Sequence, residues 1–224
     1  EAEPRFEESI EVMIRSWTSR ERFSHRGRFW QFDDIVVEPP PAQRPHPPLW
    51  VAAGSEASIR RAAKRGFNLI LDQYASPAVL GERIALYRAG LEAQALRFNP
   101  IRVAVARQLY VANDQADMEA ALRRQARWNE RTVAVARTPD GKAGSHILAY
   151  AATSGGTVAN TLFGTPDEIG DRLEALHGAG VEYVLLTILG GTDQLRRFAR
   201  EVMPAFAGRP SAGNAAAVTE GSPA

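Results

Sequence analysis

Gly54-Ser55-Glu56-Ala57-Ser58 carries the residue types of an anion site. It follows the apolar run Leu49 to Ala53 and precedes a helical pattern from Glu56 to Arg65, so Gly54-Ser55 reads as a strand-to-helix turn. A helix start leaves its first N–H groups without intrahelical acceptors and carries the positive end of the helix dipole. The Ser55 and Ser58 hydroxyls, three residues apart, add donors for a phosphate-like group. Serine is also a preferred N-cap, so spacing alone leaves Ser55 as either a cap or a ligand contact. Asp72 and Gln73, with Tyr74 next to them, end a second apolar run, Phe67 to Leu71. They offer polar groups at a strand's carboxyl end, or form a solvated loop leading to a helix cap at Ser76. Arg107 and Gln108 interrupt a third apolar run, Ile101 to Val111. A buried charge is costly unless paired, so the expectation there is alternation toward a solvated or edge face.

Composition narrows the remaining chemistry. The chain of 224 residues has no cysteine, which excludes disulfides, thiolate zinc sites and a thiol nucleophile. Its four histidines, His25, His46, His146 and His177, lie far apart without metal-ligand spacing, so no metal site is expected. His46 stands in a proline-rich stretch and is expected to serve a turn or packing role. Trp17, Trp30, Trp50 and Trp128 are too spread for one stacking platform and are expected in cores or interfaces. A formal charge of +1 removes the general electrostatic reason to expect nucleic acid or an anionic membrane as partner. No run approaches the roughly 18 apolar residues of a membrane span, and no signal-peptide pattern opens the chain, so a cytoplasmic location is the expectation.

These residues need elements to hold them. Apolar positions from Pro4 to Trp17 recur at helical spacing, Phe23 to Val37 suggests a short ribbon, and the prolines of Glu38 to Pro48 permit only an extended connector. Three units of strand then helix follow: Leu49–Ala53 with Glu56–Arg65 closed by Gly66, Phe67–Leu71 with a helix from Ser76-Pro77 to about Phe98, and Ile101–Val111 with a helix from Asn113 or Asp114 to about Ala136. Thr138 to Thr161 is rich in Gly, Ser, Thr and Ala and reads as a mobile functional loop or as a stretch containing a short helix. Gly164-Thr165-Pro166 opens a helix to about Gly178, Val181–Leu189 is a fourth strand, and Asp193 caps a last helix through Phe206. Residues 208–224 read as a disordered tail after a domain over 1–207. Strands alternating with helices imply a parallel α/β sheet, and about four strands make half of a (β/α)₈ barrel or a small open sheet.

At Pro41-Ala-Gln-Arg-Pro-His-Pro-Pro-Leu-Trp-Val-Ala-Ala-Gly-Ser55 the sequence resembles the bacterial luciferase-like family of flavin-dependent monooxygenases and its F420-dependent relatives. Ala62-Ala-Lys-Arg-Gly66, Gly164-Thr-Pro, Gly178-Ala-Gly-Val181 and Phe198-Ala-Arg-Glu-Val-Met-Pro204 follow in the family's order, and the likeness runs from residue 3 to 206. The resemblance implies the C-terminal half of a (β/α)₈ barrel, with the opening helix following a fourth strand. It implies flavin at the carboxyl ends of the strands, with phosphate contacts at Gly54, Ser55 and Ser58 and a pocket wall at Asp72 and Gln73. Gly54 stands where the luciferases place a glutamate, so its contribution would come from the backbone. In the family's luciferase branch a histidine near the reactive flavin face and a flavin-contacting arginine belong to the other half, so no catalytic residue is assigned here.

The implied activity is oxygenation of a small organic substrate with O₂ and reduced FMN supplied by a flavin reductase, in a homo-oligomer. The 138–161 segment would be part of a lid. Two alternatives remain open: hydride transfer with F420 on the same fold, and an inactive half-barrel that binds ligand or self-associates.

Overall fold

A computed structural model describes residues 1–135 and 160–208 of the protein. The chain divides into two compact units, Glu1–Leu49 and a second that begins at Trp50.

In the first unit, α1 (Ala2–Thr18) is followed by an antiparallel hairpin of β1 (Phe23–Arg26) and β2 (Gln31–Ile35), the expected ribbon. Glu8 on α1 organises the hairpin turn. Its carboxylate accepts the backbone N–H groups of Arg28, Phe29 and Trp30 and meets His25 Nε2 at 3.2 Å. Burial pushes the Glu8 carboxyl up, but the N–H groups of Trp30, Phe29 and Arg28 and the His25 ring outweigh it and hold the group below its usual value. Gly27 is required in this turn because a Cβ there would collide with the Glu8 carboxylate. The proline-rich stretch holds neither helix nor strand.

The second unit runs β3 (Trp50–Ala52), α2 (Glu56–Lys64), β4 (Asn68–Leu71), α3 (Pro77–Glu92), β5 (Val103–Val111) and α4 (Gln115–Val135). Past the segment outside the described residues come β6 (Leu162–Gly164), α5 (Pro166–Gly178), β7 (Tyr183–Ile188) and α6 (Thr192–Glu201). The sheet is parallel throughout, with β4 between β3 and β5. Leu109 pairs with both Leu162 of β6 and Ile188 of β7, so those strands flank β5 on opposite edges. Ala104 pairs with both Ile70 and Tyr183, so β4 shares its edge of β5 with β6.

Strand register sorts the side chains onto two faces. Val51, Leu69, Leu71, Val103, Val105, Leu109 and Leu186 turn toward the helices, where Ile59, Leu80, Ile84, Leu91, Ile169 and Phe198 complete one core. Each large aliphatic side chain buried there contributes about 1.5–3 kcal/mol. Trp50, Ala52, Ile70, Ala104, Ala106, Tyr183 and Leu185 occupy the other face. The Trp50 and Tyr183 rings meet edge to face at 5.8 Å, although β4 and β5 lie between their strands. Three strand spacings on a flat sheet would hold them about 14 Å apart. The sheet is therefore strongly curled, with these two rings on its concave side, as a barrel wall requires.

The expected caps form for local reasons. Ser76 accepts from Val79 N–H, Asp114 accepts from Asp117 N–H, and Thr165 and Glu168 make a reciprocal capping box. Gly66 takes a left-handed backbone, φ +64°, just past α2. Four expectations change. β6 adds a fifth strand, too short to stand out beside the loop. α3 stops at Glu92 rather than near Phe98, because Ala95 turns left-handed and Leu96 N–H folds back onto Leu91 O. α6 begins at Thr192 after Gly191, so Asp193 lies inside the first turn paired with Arg196 instead of capping. α6 also ends at Glu201, and Met203–Phe206 forms a separate 3₁₀ turn. The tail assigned from 208 lies outside the described residues beyond Gly208.

Candidate functional site

At the carboxyl ends of β3 and β4 the concave face opens into a cavity of about 500 Å³. Its floor is made of small and aliphatic side chains, Ala52, Ile70 and Ala106, one from each of three neighbouring strands. All five residues expected from the sequence, Gly54, Ser55, Ser58, Asp72 and Gln73, line this cavity, together with Tyr74 and Arg83.

Ser55 is both a cap and a cavity group. Its Oγ accepts Ser58 N–H at 3.3 Å and lies 2.9 Å from Ser58 Oγ, which in turn accepts Ser55 N–H at 3.2 Å. This reciprocal box leaves the N–H groups of Glu56 and Ala57, the first two of α2, without intrahelical acceptors. Ser55 is exposed and Ser58 half-buried, so the hydroxyl pair and the helix end are open to a ligand.

Asp72 is structural as well as lining. Oδ1 accepts the N–H groups of Tyr74 and Ala75 at 2.8 and 2.9 Å, which folds the β4–α3 turn, and Oδ2 pairs with Arg83 Nη1 at 2.5 Å. Gln73 Nε2 donates to Tyr74 Oη at 2.8 Å, placing an amide and a phenol side by side in the cavity wall.

Arg83 was not anticipated from the sequence. A Cβ built on Gly54 would stand 3.8 Å from Arg83 Nη2, so the guanidinium flanks the strand-to-helix turn. The sequence signal was only a basic residue two turns into the helix after Asp72, and nothing local distinguishes Arg83 from Arg88, whose guanidinium lies over the Phe98 ring.

Arg107 corrects an expectation. It turns toward the helix side of the sheet and is 2% exposed, rather than reaching a solvated face. Nη1 donates to Asp72 O and Ala106 O, and Nη2 to Ala75 O, at 3.1, 2.8 and 2.6 Å. Burial pushes its pKa down to about 10, against the opposing pull of Asp72, so it keeps its charge near neutral pH. Gln108, on the opposite face of β5, is half-buried and accepts from Gln125 of α4. His46 packs near Trp17 and shares a hydrogen bond with Pro47 O within the first unit. The segment read as a lid, 138–161, lies outside the described residues except Asn160 and Thr161, and Asn160 Nδ2 donates to Tyr74 O at 2.7 Å.

The donor set fits a phosphate-bearing cofactor: two helix N–H groups, the Ser55 hydroxyl, whose neighbour Ser58 donates to Ser55 O at 2.8 Å, and a guanidinium paired with Asp72, beside an apolar floor. Among the described residues no group of His, Asp and Glu side chains could hold a metal ion, and no helix is long and apolar enough to cross a membrane.

Comparison with known proteins places the chain in a family. Over 90% of its length the chain is 28% identical to the oxygenase component of a flavin-dependent trigonelline monooxygenase from Acinetobacter baylyi. It is likewise 28% identical over 89% of its length to an FMNH₂-dependent dimethylsulfone monooxygenase from Pseudomonas putida. It spans 60% and 57% of those relatives' own lengths. In fold it is similar to the monooxygenase RslO1 from Streptomyces bottropensis, with a TM-score of 0.68 and 23% identity over 92% of this chain and 62% of that one. An F420-dependent secondary alcohol dehydrogenase is also similar, with a TM-score of 0.65 and 18% identity over 88% of this chain and 58% of that one. The family described as luciferase-like monooxygenase matches residues 1–183, and the chain belongs to that family.

Proposed function

We propose that this chain forms the part of an FMN-dependent monooxygenase that holds the cofactor phosphate and one wall of the reaction site. The observation that carries this reading is the convergence of Ser55, Ser58, the α2 N-terminus and Arg83 on one apolar-floored cavity at the strand ends. The relatives at 28% identity, both flavin-dependent monooxygenases by name, support FMN as the cofactor. Reduced FMN would supply the electrons with which O₂ is split, one oxygen atom passing to a small organic substrate and the other leaving as water. The chain's own part is binding and exclusion. Glu56 and Ala57 N–H, the Ser55 hydroxyl and Arg83 would hold the phosphate; Ala52, Ile70 and Ala106 give a dry surface; Gln73 and Tyr74 present hydrogen-bonding groups at the wall. A flavin reductase as supplier, a homo-oligomeric assembly and a cytoplasmic location complete the reading.

F420-dependent hydride transfer is the second reading, favoured by the fold likeness to the F420-dependent alcohol dehydrogenase. Titration with FMN, riboflavin and F420 tests both. FMN binding about tenfold or more above riboflavin is expected, because riboflavin lacks the phosphate. Equal affinity for the two would sink the phosphate site, and anaerobic turnover with F420 but none with reduced FMN and O₂ would replace the cofactor.

A further inference from the structure

We infer that Arg107 is a positioning residue that fixes the Gln73–Tyr74 wall of the cavity from behind the sheet. Its consequence for ligand binding rests on the reading of that cavity as a cofactor site.

Arg107 lies on the helix side of β5, whereas the cavity floor is on the other face, so it touches no ligand placed there. Two of its three acceptors are carbonyls of the β4–α3 turn, Asp72 O and Ala75 O. Two of the turn's N–H groups, those of Tyr74 and Ala75, go to Asp72 Oδ1. Asn160 Nδ2 donates to a third carbonyl of the turn, Tyr74 O. Arg107 thus ties the turn at both ends and Asn160 ties it at Tyr74, with Gln73 between the tied points. A turn held only by its own short-range bonds would have other conformations in which Gln73 and Tyr74 leave the wall.

An apolar residue at position 107 would fill the space between sheet and helices but leave buried carbonyls of the turn without their donor, at a cost of about 1–3 kcal/mol. What it could not do is satisfy two carbonyls at once. The planar guanidinium reaches both with separate nitrogens in a fixed fork, whereas a lysine must reach both from a single nitrogen on a flexible stem. Arg107 therefore has a role that its packing alone does not require.

The test compares Arg107→Met, Arg107→Lys and the unsubstituted full chain by amide hydrogen exchange without ligand and by FMN titration. For Arg107→Met, exchange should rise about tenfold or more at residues 73–76 while β5 and α2 keep their protection, and FMN affinity should fall about tenfold. Arg107→Lys should lie between the two in both readouts. Unchanged exchange at 73–76 in Arg107→Met overturns the proposal. A rise spread over the whole sheet means that variant has lost its fold, and Arg107→Lys then decides: a rise confined to 73–76 supports the proposal, and none overturns it. If the unsubstituted chain binds no FMN yet the local rise appears, the cofactor reading fails and the positioning role of Arg107 stands.

Discussion

Asp72 Oδ2 accepts from Arg83 Nη1 at 2.5 Å, and the two side chains are only 13% and 17% exposed. This ion pair joins the end of β4 to the middle of α3 and sets the guanidinium beside Gly54, where the α2 N-terminus opens. One carboxylate thereby folds its own turn and aims a cation at a helix end whose dipole already favours an anion.

Replacing that cation separates its two effects. Arg83→Ala leaves a mostly buried carboxylate without its partner and should cost about 1–3 kcal/mol in chemical denaturation. FMN affinity should also fall about tenfold while riboflavin affinity stays within twofold. Parallel losses for both ligands would show that Arg83 shapes the cavity and does not meet the phosphate.

Ser55→Asp tests the helix end without losing the cap. Aspartate is as good an N-cap as serine, so the melting temperature should move by no more than about 2 °C. The new charge repels a phosphate at the same place, and FMN affinity should drop tenfold or more at low ionic strength, with partial recovery in salt. A variant that binds FMN as tightly as the unsubstituted chain would place the phosphate elsewhere.

Acid should loosen the first unit through Glu8. Its folded pKa is held below the usual value, so its contribution to the hairpin is fully present above the ordinary glutamate range. That contribution is lost as pH falls through the lowered folded value, a window lying below about pH 4. Hydrogen exchange at residues 28–30, corrected for the intrinsic pH dependence, should accelerate across that window, and Glu8→Gln should abolish the step. The same step in Glu8→Gln would assign it to another carboxylate.

Two glycines in helices should respond oppositely. A Cβ on Gly90 would stand 2.7 Å from Ala63 Cβ, where α3 crosses α2, so Gly90→Ala should destabilise by about 1–3 kcal/mol. A Cβ on Gly170 in α5 meets nothing within 4 Å, and Gly170→Ala should stabilise by about 0.5–1 kcal/mol. Both values come from urea denaturation, and a Gly90→Ala change within 0.5 kcal/mol of neutral would mean that the helix crossing yields.

The amino-acid sequence by itself determined the elements and the candidate site. Apolar runs, Ser55, Ser76 and Thr165 as helix caps, and the order of strand and helix depend on neighbours within about four residues, and those interactions are legible without a fold. It also placed Gly54, Ser55, Ser58, Asp72 and Gln73 at strand ends, because alternating strand and helix brings such ends to one side of a parallel sheet. Tertiary structure alone decided what stands behind and beside them. Arg83 meets Asp72 across eleven residues, Arg107 reaches its turn across more than thirty, and β6 finds the edge of β5 only once the chain has returned to it. The curl that joins Trp50 to Tyr183 sums small rotations between strands, and no single residue encodes it. Whether an arginine in an apolar strand faces solvent or carbonyls depends on which backbone groups the fold leaves unpaired near it. That pairing does not exist until the sheet and its turns have closed.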